Sequence, residues 1–381
     1  MNRVDNATSK SPSWIQRFVL PGLAFKAVVI GGGYATGREL AEFFLPSGPL
    51  GGILAIGVAT VVWSVVCALA FMLAHHWRTF DYRAFFGRLL GRGWVLFELT
   101  YLALVLLILS VFCAASGAIG QALFGWPVIA GTGLLLVSIA VFVAIGAAAV
   151  EPLFKYVSVL LYLTYAAFLA LSLWKFGPRI GMNLSHAGLH SGWLMGGLSY
   201  AGYNSFGAVV ILPVLRHMTS RRDALVAGAI AGPLAMFPGL FFFLSMIAWY
   251  PEVGAVALPS DFLLMKIGIP VVRLIFQTMI FFALLESGCG CVHAIMERVR
   301  HAIRSKSGRD PGFLARAGTV LAVLTIAVFA AQSIGLVDLI GKGYRFISWL
   351  IIAIFIVPLI AVSLFHLRSN RSVGLLGAEE A

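Results

Sequence analysis

The stretch Gly31-Gly32-Gly33-Tyr34-Ala35-Thr36-Gly37-Arg38-Glu39 puts four glycines into seven positions of an otherwise apolar run. Glycine costs a helix about 1 kcal/mol per residue relative to alanine, so a helix through 31–37 is predicted to break. Within hydrocarbon the freed N–H and C=O groups cannot face lipid; they must line a cavity or bind something, and half-helix ends present dipoles to ions. The chemistry offered is recognition, with amides for a carboxylate and carbonyls for a cation. A second stretch, Gly196-Gly197-Leu198-Ser199-Tyr200-Ala201-Gly202-Tyr203-Asn204-Ser205-Phe206-Gly207, has the same character, and the two run on to Leu45-Pro46 and Leu212-Pro213. A single such cluster reads as a close-packing surface of small residues. Two at matching places point to a pair of broken helices, with Gly31, Gly32, Gly33, Tyr34, Ala35, Gly37, Tyr200, Gly202, Asn204, Ser205 and Phe206 as candidate substrate contacts.

Ionisable residues in apolar runs are the second signal, because insertion scales place their cost at the bilayer centre at about 2.5 to 3.5 kcal/mol. Glu286 stands in Leu285-Glu286-Ser287-Gly288-Cys289-Gly290-Cys291, whose small residues allow a neighbouring helix close. Its bland reading is a structural pair with Lys26, five residues before the first break. Lys155 reads first as an interfacial lysine that snorkels, and His293 lies seven positions from Glu286 on the same helical face. His186 and His190 have i,i+4 spacing without a nearby third ligand, so zinc is not expected. The sequence contains no Walker, HExxH or GxSxG motif, so no enzyme activity is expected.

The elements that must position these residues follow from composition. The chain is 60% hydrophobic and 11% charged, against roughly a quarter charged in soluble domains. Its net charge of +12 is dispersed over short breaks between apolar runs, which argues against nucleic acid and for topology signals. Cys67, Cys113, Cys289 and Cys291 fall inside apolar segments, away from disulfide or zinc spacings. The runs predict an all-α polytopic membrane protein of ten transmembrane helices near 15–44, 50–76, 93–124, 127–149, 152–176, 191–215, 222–250, 270–301, 312–331 and 339–367. Five helices on each side of a polar connection at 177–190 predict a 5+5 inverted repeat (14–176 and 191–367), with helices 1 and 6 discontinuous. Tails at 1–13 and 368–381 are expected in the cytoplasm, because that arrangement keeps most Lys and Arg on the cytoplasmic side of a bacterial inner membrane.

Gly31 to Glu39 resembles the GAGFASGQE element in the first helix of the YkvI-like bacterial membrane proteins, relatives of the amino acid-polyamine-organocation (APC) superfamily. Ser199-Tyr200-Ala201-Gly202-Tyr203-Asn204 is similar to the Tyr-Asn element of their sixth helix, and Arg38 departs from the glutamine usual there. The resemblance implies a LeuT-like fold. It further implies a sodium ion held between helix 1 carbonyls and helix 8 hydroxyls, with Ser287 as candidate ligand and Glu286 as proton carrier or extra ligand. Lys155 resembles the lysine that replaces sodium in some proton-coupled members. An outer gate between Arg38 and Asp338 is likewise implied, against the local alternative of an Arg38 to Glu42 pair at i,i+4. The function expected is an ion-coupled symporter for a small polar organic solute, an amino acid or related amine, with sodium or a proton as coupling ion and no cofactor. A receptor, or a structural membrane protein without transport, is the competing expectation.

Overall fold

The computed structural model describes residues 13–145 and 147–376, with side chains at all of these except 32, 147–158, 306 and 367–376. Every regular element among the described residues is helical. A wide turn at Ile15–Val19 leads into α1 (Leu20–Val29), α2 (Gly32–Ala35) and α3 (Arg38–Phe43), followed by α4 (Gly48–Trp77), α5 (Tyr82–Leu90), α6 (Trp94–Phe124), α7 (Val128–Ile145) and α8 (Ala147–Ser185). Next come α9 (Trp193–Asn204), α10 (Gly207–Val210), α11 (Arg221–Ile247), α12 (Pro259–Ile267) and α13 (Pro270–Ser307). The last described elements are α14 (Phe313–Ile334), α15 (Leu336–Asp338), α16 (Arg345–Ile351) and α17 (Val357–Leu376).

Eight of the described stretches are long and apolar enough to cross a bilayer: Arg38–Trp77, Tyr82–Phe124, Val128–Ile145, Val159–Ser185, Arg221–Ile247, Pro270–Ser305, Phe313–Ile334 and Leu336–His366. They coincide in order with predicted helices 2 to 5 and 7 to 10. Predicted helices 1 and 6 are the two that the chain interrupts. Large apolar side chains such as Phe329 (73% exposed) and Phe365 (72%) point outward, where only lipid would receive them. The molecule is a multi-pass membrane protein. Predicted helix 5 extends through Gly177 and Pro178 to Ser185, so the first half of the expected 177–190 connection is helical.

The core is set by one close crossing. α4 and α11 share the most extensive interface, and a Cβ at Gly228 or Gly232 would overlap the backbone of Ala68 or Thr60. Pro233 inside α11 has no N–H for the Ala229 carbonyl; the Ser64 hydroxyl of α4 donates to it instead, at 2.8 Å. The α6–α7 hairpin uses the same device. A Cβ at Gly131 would strike the α6 backbone, and Ser116 Oγ donates to the Gly131 carbonyl at 2.8 Å.

Candidate functional site

The break in the first apolar stretch is real and double. After Val29 the backbone leaves the helix at Ile30 (φ −82, ψ 71), and Gly31 N–H turns back to the Val29 carbonyl at 3.0 Å. One turn of helix follows before Gly37, whose φ of 77 is left-handed, restarts the chain as α3. Thr36 stabilises this second kink. Its hydroxyl donates to the Gly33 carbonyl at 2.7 Å, while its own carbonyl accepts from Ser260 N–H at 3.0 Å, tying the break to α12.

The second stretch is interrupted as well, α9 ending at Asn204 and α10 beginning at Gly207, but it does not unwind in the same way. Ser205 and Phe206 keep near-helical dihedrals, and Ser205 N–H still bonds the Ala201 and Gly202 carbonyls. The chain tightens there into a turn. Its glycines serve close approach instead: a Cβ at Gly202 would lie 3.0 Å from the Ser348 carbonyl, and one at Gly207 would lie 3.1 Å from the Phe25 ring. Asn204 and Ser205, both buried, donate back to the Tyr200 and Ala201 carbonyls at 3.2 and 2.7 Å. Phe206 is buried with its ring centre 5.9 Å from that of Tyr101.

The first break faces α13. A Cβ at Gly31 would be 4.0 Å from Ser287 Oγ and 3.7 Å from the Phe112 ring. The helix 1 break and the Ser287 hydroxyl are thus neighbours, from 256 residues apart in sequence by their numbering. The Lys26 ammonium sits over the Tyr162 ring at 4.8 Å, and the Tyr162 hydroxyl lies within electrostatic reach of Glu286. Lys155 lies on α8, with its side chain outside the described residues.

The expected Arg38 to Asp338 gate is not formed. Arg38 is buried. Its guanidinium donates to Glu42 at 2.7 Å and to the Gly254 and Val256 carbonyls at 2.8 and 2.9 Å, while Asp338 pairs with Lys342 at 3.0 Å. The physical reason is local: one helical turn puts Glu42 within reach of Arg38, and another puts Lys342 within reach of Asp338. The link across to the last spans is made by Glu42, whose other oxygen is 3.7 Å from Arg345.

Glu39 is the site residue that sequence reasoning missed. It is 5% exposed, and Tyr203 Oη donates to its Oε2. Its Oε1 lies 2.5 Å from the place of a Cβ on Gly33, so a side chain there would displace it. Tyr34, Tyr200, Tyr203 and Tyr344 are all fully or nearly fully buried and within electrostatic reach of its carboxyl; the Tyr203 and Tyr344 rings stack at 4.4 Å. An acid two residues past the glycine cluster was a visible signal. Its tyrosine surroundings, drawn from separate helices, were not.

No family model matches the sequence, and no curated protein matches it. Solved structures do. A mutant of the manganese transporter of Eremococcus coleocola is similar with a TM-score of 0.56 at 18% identity, over 91% of this chain and 78% of that one. MhsT in complex with L-phenylalanine is similar with a TM-score of 0.54 at 18% identity, over 93% of this chain and 88% of that one. The shared architecture is the LeuT-like fold.

Proposed function

We propose that this chain is a secondary transporter: an ion-coupled symporter that moves a small polar organic solute by alternating access, as ten spans in two inverted halves, in a bacterial cytoplasmic membrane with both termini inside. The observation that carries the reading is the opened main chain at Ile30 and Gly31, next to the Ser287 hydroxyl, with the buried Glu39 carboxyl against Gly33 of the same glycine-rich stretch. Backbone of this kind is tolerated at membrane depth where it lines a pathway or holds a ligand. The similar folds of a manganese transporter and of an L-phenylalanine-bound MhsT support carriage as the use of this architecture.

An amino acid or related amine suits the site better than a divalent metal. Among the described residues no three His, Cys, Asp or Glu side chains converge as a metal would require. Backbone at 31–33 would meet the solute's polar end, and Tyr34 and Tyr200 would shape its surroundings. Ser287 with the helix 1 carbonyls would take sodium, Glu286 would join that ion or carry a proton, and Lys155 would be the alternative coupling charge.

Uptake into proteoliposomes tests this. Radiolabelled amino acids and amines should accumulate only when a sodium or proton gradient is imposed. Ser287→Ala should raise the sodium concentration for half-maximal uptake by about tenfold if one charge-dipole ligand, worth about 1.4 kcal/mol, is lost. Saturable binding without gradient-driven accumulation would favour a receptor. Neither binding nor uptake, with glycine replacements such as Gly33→Leu abolishing assembly, would favour a structural role.

A further inference from the structure

Where α13 ends and α14 begins, two cavities of about 580 Å³ each adjoin, with Glu297 and Arg300 lining both. One is a groove between α7, α13 and α14 whose lining is apolar, as at Val143, Val320 and Leu324, apart from His293 and the charged residues Glu297, Arg300 and Arg316. Two of its lining residues, Phe313 and Leu321, are 83% and 68% exposed, so the groove opens on the surface that faces lipid. Arg316 stands in the first turn of α14 and Leu324 lies about 12 Å deeper along the axis. The second cavity lies between the start of α5 and the last turns of α13, and all its lining residues are polar or charged, Arg304 and His301 among them. Apolar and basic space are thus joined end to end.

The charges decide what fits. Arg300 is held by Glu297 and Asp310, at 3.2 Å each. Arg316 donates through Nε to the Pro311 carbonyl at 3.0 Å, and among the described residues neither it nor Arg304 has an acid partner. Each cavity therefore holds one guanidinium whose fork is left for an anion, and that fork matches two phosphate oxygens. Basic pockets between membrane helices receive anionic headgroups in this way. A soluble anion would have no use for the apolar groove. A second copy of the chain, docked by a two-fold axis, would bring the same basic edge against itself. A zwitterionic phospholipid would set its ammonium beside the unpaired Arg304, a like charge.

We propose that the two cavities together bind one anionic phospholipid, with an acyl chain in the groove between α7, α13 and α14, its phosphate at Arg316 and the rest of the headgroup toward Arg304. The site requires a bilayer around the chain but no transport. With both termini inside, the lipid belongs to the cytoplasmic leaflet.

Thermal unfolding of the delipidated full-length chain in a neutral detergent, titrated with dioleoyl phosphatidylglycerol, dioleoyl phosphatidylcholine or inorganic phosphate, reads the site. Phosphatidylglycerol should raise the unfolding temperature saturably, as mass action requires, with a midpoint at least about fivefold below that of phosphatidylcholine. Arg316→Gln should raise the phosphatidylglycerol midpoint at least about fivefold, the share of one arginine beside an anionic lipid. Ala317→Trp, which fills the groove, should abolish the saturable response. Arg222→Gln on α11, which lines neither cavity, should leave the midpoint as it is. Equal midpoints for the two lipids, or an unchanged midpoint in Arg316→Gln or in Ala317→Trp, overturn the proposal. So does an equal response to inorganic phosphate, which would make the ligand a soluble anion, or a fivefold loss in Arg222→Gln, which would make the attraction diffuse. A dimer in light scattering that Ala317→Trp dissociates also overturns it, because a second copy then covers the groove. Should Ala317→Trp fail to fold, Arg316→Gln decides alone. Failure of solute uptake in proteoliposomes leaves the lipid midpoints standing and refutes only carriage, whereas uptake by a chain without preference for phosphatidylglycerol keeps carriage and refutes the site.

Discussion

At the scale of single residues, one buried acid, Glu39, takes a hydrogen bond from a tyrosine of another helix. Tyr203 supplies the hydrogen bond to Glu39 Oε2, and its ring is stacked on Tyr344 and lies 5.9 Å from Phe43. Tyr203→Phe keeps those ring contacts and removes only the donor. Hydrogen bonds to charged groups are worth about 1.5 to 3 kcal/mol, so this variant should lose that much stability in a denaturant titration in micelles. An unchanged midpoint would mean that the carboxyl is neutral or finds another donor. Glu39 itself was legible in the sequence as an acid beside a glycine cluster. Sequence position alone favours Glu286 as the buried acid, because Glu286 lies mid-run and Glu39 lies near a predicted helix end. The tertiary structure reverses that ranking by burying Glu39 beneath four tyrosines.

At the scale of elements, the first apolar stretch is divided by geometry that its glycines permit. Gly37 adopts φ 77, and a Cβ there would collide with the Phe242 ring on α11. Gly37→Ala therefore meets backbone strain and a clash together. It should cost more than about 1 to 2 kcal/mol, seen as a lower unfolding temperature, while Gly57→Ala on α4, where a Cβ has open space, should be neutral or stabilising. The start of the same stretch is latched to α11. Arg17 donates to both oxygens of Asp223 at 2.8 and 2.7 Å, and Asp223 accepts further from Thr219 and Ser220 at the helix N-terminus. Arg17→Ala removes a partly exposed partner from a buried carboxylate and should loosen that end. A cysteine introduced at Val28 in a background without native cysteines should then react with a thiol reagent at least about fivefold faster. Unchanged labelling would show that the latch does not hold that end shut.

For the molecule as a whole, a charged bridge joins the far end of the first interrupted stretch to the last spans and to the loop before α12. Arg38 is buried and holds two loop carbonyls as well as Glu42, whereas Arg345 is half-exposed and 3.7 Å from Glu42. Removing the first should matter far more. Arg38→Met is expected to destabilise by about 2 to 4 kcal/mol, and Arg345→Ala by no more than about 1 kcal/mol, in the same unfolding assay. A charge swap between Arg38 and Glu42 should recover more stability than one between Arg38 and Asp338, and the reverse result would restore the gate that the sequence suggested.

Composition and period alone determined that the chain crosses a membrane, where its long helices run and which stretch must break, because hydrocarbon forbids unpaired backbone and glycine penalises helix whatever the fold. They could not say whether the second glycine-rich stretch opens or merely packs. Glycine serves both ends, and only the approach of Ser348 and Phe25 to Gly202 and Gly207 decided for packing. Nor could they choose among the partners of Arg38, since a local acid and a distant one are equally sensible chemically until the helices are placed. The gathering of Tyr34, Tyr200, Tyr203 and Tyr344 about Glu39 belongs to the tertiary structure alone: phenols from three separate parts of the chain have no shared period, and their meeting depends on how the helices cross.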